Sequence, residues 1–184
     1  RAEDIRILRS DDRSLVFEYT PEYSEVRTVN DGTMEMKVFD FVGAIPSFSS
    51  DMVGSPDLRY MMVPLGFPSE GGNAAQVIAS EYEDLSGVTI APLPTMRGTE
   101  EMVEIAGYGI NSDKYSGSSF LPLQLVELPK PSHIQSLWVG SVRLYPIQYN
   151  PATRTVRKYT RMVVEIVYGI PTQVRGKNAN VHMF

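Results

Sequence analysis

Cysteine is missing from the 184 residues, which excludes disulfides, thiolate metal sites and a cysteine nucleophile within the chain. Histidine is nearly missing too. His133 and His182 are the only two, and neither has a second metal-ligating residue at helical or hairpin spacing. No apolar run approaches the roughly 18 residues of a membrane helix, and the opening residues carry no signal-peptide pattern. An excess of positive charge is also lacking. The 17 Lys and Arg against 22 Asp and Glu give a net charge of -5, which argues against a global nucleic-acid or anionic-membrane binder. Long helical periodicity and internal repeats are absent from the pattern. The chain opens at Arg1, not at methionine, and is expected to be a trimmed piece of something longer.

What is present describes a globular protein, 42% hydrophobic and 21% charged. The length allows one ordinary domain, burying roughly 70% of the surface its unfolded chain exposes. The local pattern is extended. Ile5 and Ile7 alternate with Arg6, and Leu15 to Thr20 reads as a second strand that Pro21 ends. Asn30-Asp31-Gly32 predicts a hairpin turn before the alternating Met34, Met36 and Val38. Residues 43 to 57 read as loop, Arg59 to Val63 as strand, and 64 to 73 as a long turn region. Residues 74 to 83 carry helix-forming types but alternate like a strand, and strand is the reading taken. Pro92-Leu93-Pro94 imposes extended backbone ahead of Thr95-Met96-Arg97-Gly98, predicted to be an exposed loop tip.

The final third has the plainest pattern. Residues 121 to 128 and 136 to 149 read as strands, and 154 to 168 as a long one. Asn150-Pro151-Ala152-Thr153 predicts a turn that pairs residues near 141–149 with residues near 154–167. Trp138, Leu144, Ile147, Val163, Val164 and Ile166 form the predicted core of that hairpin. Prolines and glycines fall mainly between the strand candidates. The fold class is therefore all-β, an antiparallel sandwich or barrel with Gly/Pro-rich loops. Residues 1–168 form the expected domain, and 169–184 a tail or linker.

Catalytic constellations fail one by one. Asn111 to Tyr115 resembles the start of a calcium loop, but Ser116 stands where glycine is needed and Pro122 where glutamate is needed. Glu100, Glu101 and Glu104 form an acidic triplet beside a loop, more simply a solvated surface than a glycosidase pair. Arg154, Arg157, Lys158 and Arg161 alternate with Val156 and Tyr159, as an exposed strand face does. Trp138 within an apolar strand reads as core before it reads as a sugar platform. Nucleophile-elbow, P-loop and dinucleotide motifs are missing.

One segment resembles a known family. GSVRLYPIQYNPATRTVRKYTRMVVEI, Gly140 to Ile166, is similar to the closing hairpin of gingipain-type propeptides, the N-terminal pro-regions of family C25 cysteine peptidases. The matching positions are Pro146, Gln148, Tyr149, Pro151, Tyr159, Val163 and Val164. Upstream, Gly54-Ser55-Pro56-Asp57-Leu58 resembles the Gly-x-Pro-x-Leu element that precedes a core strand there. Residues 4 to 20 fit the usual opening hairpin. A related region precedes the sortase of the type IX secretion system, so the resemblance leaves protease and sortase contexts both open.

The resemblance implies a two-sheet β-sandwich without catalytic residues or cofactor, exported to the periplasm, cell surface or beyond. Its partner would be the attached cysteine peptidase domain, kept latent and helped to fold. A non-inhibitory docking sandwich of a surface or secretion assembly is the alternative, and a carbohydrate-binding module a third. Met96, Arg97 and Gly98 are the expected inhibitory segment, because such propeptides present a basic residue to the specificity pocket. Arg59 is the fallback, set in a strand beside Leu58 and Tyr60. Arg175, in the Pro/Gly/Asn-rich tail, is the processing candidate.

Overall fold

Alternation of apolar and polar residues makes half-buried strands, and the computed structural model, which describes residues 4–47, 50–99 and 102–169, arranges them in two five-stranded sheets. In the first sheet β1 (Ile5–Ser10) pairs antiparallel with β2 (Ser14–Tyr19), which pairs with the long closing strand β14 (Thr155–Val167). β13 (Ile147–Asn150) continues beside the start of β14, and β7 (Ala74–Ser86) runs along its whole other edge. The second sheet is ordered β10 (Val126–Glu127), β12 (Leu137–Leu144), β6 (Tyr60–Phe67), β5 (Ala44–Ile45), with β11 (Ser132–Ile134) also on β12. Two two-stranded hairpins complete the described fold: β3 (Arg27–Asn30) with β4 (Glu35–Val38), and β8 (Thr95–Thr99) with β9 (Met102–Gly107).

The sheets face each other over a core from alternate positions. Leu15, Phe17 and Tyr19 of β2 and Met162, Val164 and Ile166 of β14 meet Val63, Leu65 and Phe67 of β6 and Val142 and Leu144 of β12. A second cluster, Phe39, Phe41, Ile90, Ile147, Tyr149 and Val156, lies on the other face of the first sheet. The alternation explains this. Val156 and Tyr159 are three apart in an unbulged stretch and point opposite ways, Tyr159 into the inter-sheet core and Val156 into the second cluster. Further along that same outer face, over β1, β2 and the later part of β14, ion pairs replace the cluster: Arg6–Glu18, Arg161–Glu18 and Arg9–Glu165.

Most of the predicted strands are present, and the exceptions have local causes. The expected strand 136–149 is two strands in different sheets, because the chain crosses between them at Tyr145-Pro146. Residues 141–144 thus pair with β6, and only 147–150 pair with β14. The expected strand 121–128 is reduced to Val126–Glu127 plus one bridge between Leu121 and Tyr149. Conversely, β6 runs through Pro64 and Gly66 where a turn region is predicted. Beyond Met61 it has a strand neighbour only on its β12 side, the edge position a proline tolerates. The predicted loop 43–57 contains β5 and a short 3-10 turn at Ser50–Met52. Of the predicted core, Leu144, Ile147, Val163, Val164 and Ile166 are buried, whereas Trp138 is only partly buried and stacks on His133.

Candidate functional site

Thr95-Met96-Arg97-Gly98 is not a loop tip. It forms most of β8, paired in register with β9: Arg97 faces Glu104, Gly98 faces Val103 and Met96 faces Ile105. The β-rich run Met102-Val103-Glu104-Ile105 supplies the partner that converts the expected loop into a hairpin. Met96 and Ile105 are exposed, 44% and 51% accessible, although each is a large apolar side chain. Arg97 is exposed as well, and among the described residues its guanidinium has no ion-pair partner.

The base of the hairpin is as closed as its shaft is open. Ile90, Ala91 and Leu93 are buried on the incoming side. Ala91 joins Met36 and Val38 of the β3–β4 hairpin in a small third cluster, with Tyr108 and Ile110 from the outgoing side packed against it. Lys37 exchanges backbone hydrogen bonds with this segment: its N–H donates to Thr89 at 2.8 Å and its carbonyl accepts from Ala91 at 2.8 Å. An extended hairpin with a buried root, paired to no third strand among the described residues and with a cation on its shaft, can enter a groove on another protein.

The other candidate cations are engaged. Arg59 donates to Asp57 at 3.0 Å and to Asp40 at 2.8 Å, with only 16% of its side chain accessible. Burial raises the Asp57 carboxyl above its ordinary range, and the Arg59 guanidinium offsets only part of that. Arg161 is paired to Glu18 and Glu81, and Arg154 donates to Thr89 Oγ1 and the Gly87 carbonyl. Arg157 forms a bidentate pair with Asp84 and lies between the Tyr82 and Phe120 rings. Residues 112–115 form a 3-10 turn capped by the Asn111 side chain, not a cation loop. Arg175, His182, Glu100 and Glu101 lie outside the described residues. Sequence reasoning missed the Asp40–Asp57–Arg59 cluster, whose only local sign is an acid and a base two residues apart.

The family Propeptide_C25 matches residues 1–183. The chain belongs to the C25 propeptide family. Curated relatives include gingipain R2 of Porphyromonas gingivalis, 26% identical over 133 residues, covering 68% of this chain and 17% of that protein. Gingipain R1 of the same organism is 28% identical over 125 residues, covering 68% of this chain and 12% of that protein. The chain therefore spans less than a fifth of the curated relatives it matches. Among solved structures, the complex of Porphyromonas gingivalis RgpB pro- and mature domains aligns at TM-score 0.79 and 20% identity, over 92% of this chain and 85% of the other. A structure on the zymogenic latency of gingipain K aligns at TM-score 0.69 and 15% identity, over 90% and 92%. As a C25 propeptide the chain is the non-catalytic part of a precursor, and the antiparallel sandwich is the propeptide fold.

Proposed function

We propose that this C25 propeptide keeps an attached gingipain-like cysteine peptidase latent, assists its folding and is exported with it. The observation that carries the reading is the β8–β9 hairpin, which holds an exposed Arg97, without an ion-pair partner among the described residues, in extended conformation above a buried root. A guanidinium offers five donors in a planar fork, which grips a carboxylate at the base of a pocket through two parallel bonds. Latency also needs a surface complementary to the peptidase. The outer face of the second sheet supplies apolar area for it, with Met62, Pro64, Leu137 and Ile134 exposed. Cleavage between the two parts turns an intramolecular contact into a bimolecular one, and dilution then releases the enzyme. Residues 1–168 are the inhibitory domain in this reading, and 169–184 the connecting tail with Arg175 as the processing point.

Inhibition of the mature peptidase by the isolated chain tests the proposal. The wild-type chain is expected to inhibit stoichiometrically, and Arg97→Ala to weaken inhibition by about 2 kcal/mol, roughly 30-fold, with an unchanged melting temperature. A stable complex that leaves the peptidase fully active would overturn it and favour a docking role. Terminal sequencing of the matured precursor tests Arg175, which a cleavage only well beyond Phe184 would eliminate.

A further inference from the structure

The Gly54-Ser55-Pro56-Asp57 segment has no part in the function as read so far, yet it lies against both legs of the Arg97 hairpin. Leu93 enters the hairpin and Asn111 follows its exit. The Gly54 N–H donates to the Leu93 carbonyl at 3.0 Å, and the Gly54 carbonyl accepts from the Asn111 N–H at 3.1 Å. Next to it Leu93 N–H donates to the Ser55 carbonyl at 2.8 Å, Asp57 N–H donates to the Ala91 carbonyl at 2.9 Å, and Pro56 bridges Pro92. The segment is buried, and Asp57 is fixed by Arg59, itself held by Asp40.

Glycine is required at this position twice over. Gly54 has φ +81, in the left-handed region. A Cβ built there would also lie 3.0 Å from Asn111 Cβ, 3.1 Å from Asn111 N and 3.1 Å from the Gly109 carbonyl oxygen. These neighbours are backbone and Cβ atoms of the outgoing leg, so any side chain pushes that leg away from the incoming one.

We propose that Gly54 is the positioning residue of the inhibitory hairpin, tying its two legs together and so aiming Arg97 relative to the sandwich. The inference rests on the reading of the hairpin as the inhibitory contact. Gly54 touches no partner itself; it acts through Leu93 and Asn111.

The test combines Gly54→Ala with Arg97→Ala in the full chain. It measures inhibition of the mature peptidase and amide hydrogen exchange at residues 95–111. Gly54→Ala is expected to weaken inhibition about 10-fold and to speed exchange in the hairpin while β2 and β14 stay protected. In the Arg97→Ala background its additional effect should fall below about twofold, because a misaimed hairpin no longer matters once its anchor is gone. An equal loss in both backgrounds would mark Gly54 as merely structural and overturn the proposal, as would unchanged inhibition by Gly54→Ala when Arg97→Ala is defective. Unchanged inhibition by Arg97→Ala instead refutes the inhibitory reading, and hairpin exchange alone then judges the positioning role. If Gly54→Ala fails to fold, Asn111→Pro decides, since at a compatible φ of -86 it deletes the hydrogen bond to the Gly54 carbonyl and sets its ring against that oxygen. Asn111→Ala, which loses the cap but keeps the N–H, is its control: equal inhibition by the two variants would overturn the proposal.

Discussion

At the residue scale, single polar groups close gaps that the sheet ladders leave. The Tyr23 hydroxyl is the plainest example, 2.8 Å from the Pro146 carbonyl and 2.8 Å from the Tyr159 carbonyl. β14 bulges between Tyr159 and Arg161 against β7, and the bulge takes the Tyr159 carbonyl out of the regular ladder. Pro146 stands where the chain changes sheets, and its carbonyl also accepts from Tyr159 N–H. One phenol thus joins the crossover to the bulge, and the Lys158 ammonium sits over its ring at 4.5 Å. Tyr23→Phe keeps the ring and removes the hydroxyl, so it should cost about 1–2 kcal/mol, read as a lower denaturation midpoint with an unchanged slope. An unaltered midpoint would mean that water replaces the hydroxyl at the Tyr159 carbonyl, the Pro146 carbonyl keeping its bond from the Tyr159 N–H.

At the element scale, the exposed strand β7 depends on β14 for its place. It is paired along one edge only and is mostly solvent-exposed, so cross-strand side chains secure it. Arg157–Asp84 and Lys158–Glu83 are direct cross-strand pairs, and Arg161–Glu81 is a third. The hydrogen bond from Arg157 lowers the Asp84 pKa below its usual 3.8, burial opposing it and the Arg157 charge adding to it. A carboxyl depressed in the folded state stabilises the fold above its unfolded pKa and loses that contribution as pH falls through the folded value. Melting temperature should therefore drop as pH falls from about 5 to about 3, and Asp84→Asn should start lower and lose less across that interval. Parallel curves for the two proteins would show that the pair contributes nothing measurable. The same scale explains what was legible in the sequence. β2 and β14 show in their own alternation, and Asn30-Asp31-Gly32 shows the β3–β4 turn, with Gly32 at φ +94. Arg97 was legible as an exposed cation, but its strand was not, because β8 exists only through its partner β9. The clamp at Gly54 joins residues about forty and sixty positions away, a contact that no local pattern encodes.

At the scale of the whole molecule, tyrosine connects the separate clusters. Tyr19 and Tyr168 belong to the inter-sheet core, while Tyr23 and Tyr115 pack on the second cluster. Tyr145 meets the Tyr60 ring at a tilt beside the crossover. Burial raises all five phenols above the ordinary 10.0, Tyr145 and Tyr168 to about 12. The folded state therefore holds these protons more tightly than the unfolded chain does. A phenol of this kind contributes stability that is fully present below the unfolded pKa and is lost as pH rises through the folded value. Five such groups load the same transition, so their preferences for the protonated form add against the fold as pH rises. Raising the pH from about 9 to about 12 is expected to release the absorbance of these five phenols in one steep step, coincident with loss of the β-sheet circular dichroism and distinct from the absorbance of exposed rings such as Tyr82. Ionisation of all ten tyrosines in a gradual rise centred near 10, with the dichroism intact, would mean that water reaches these five rings in the folded chain, against the packing described for them.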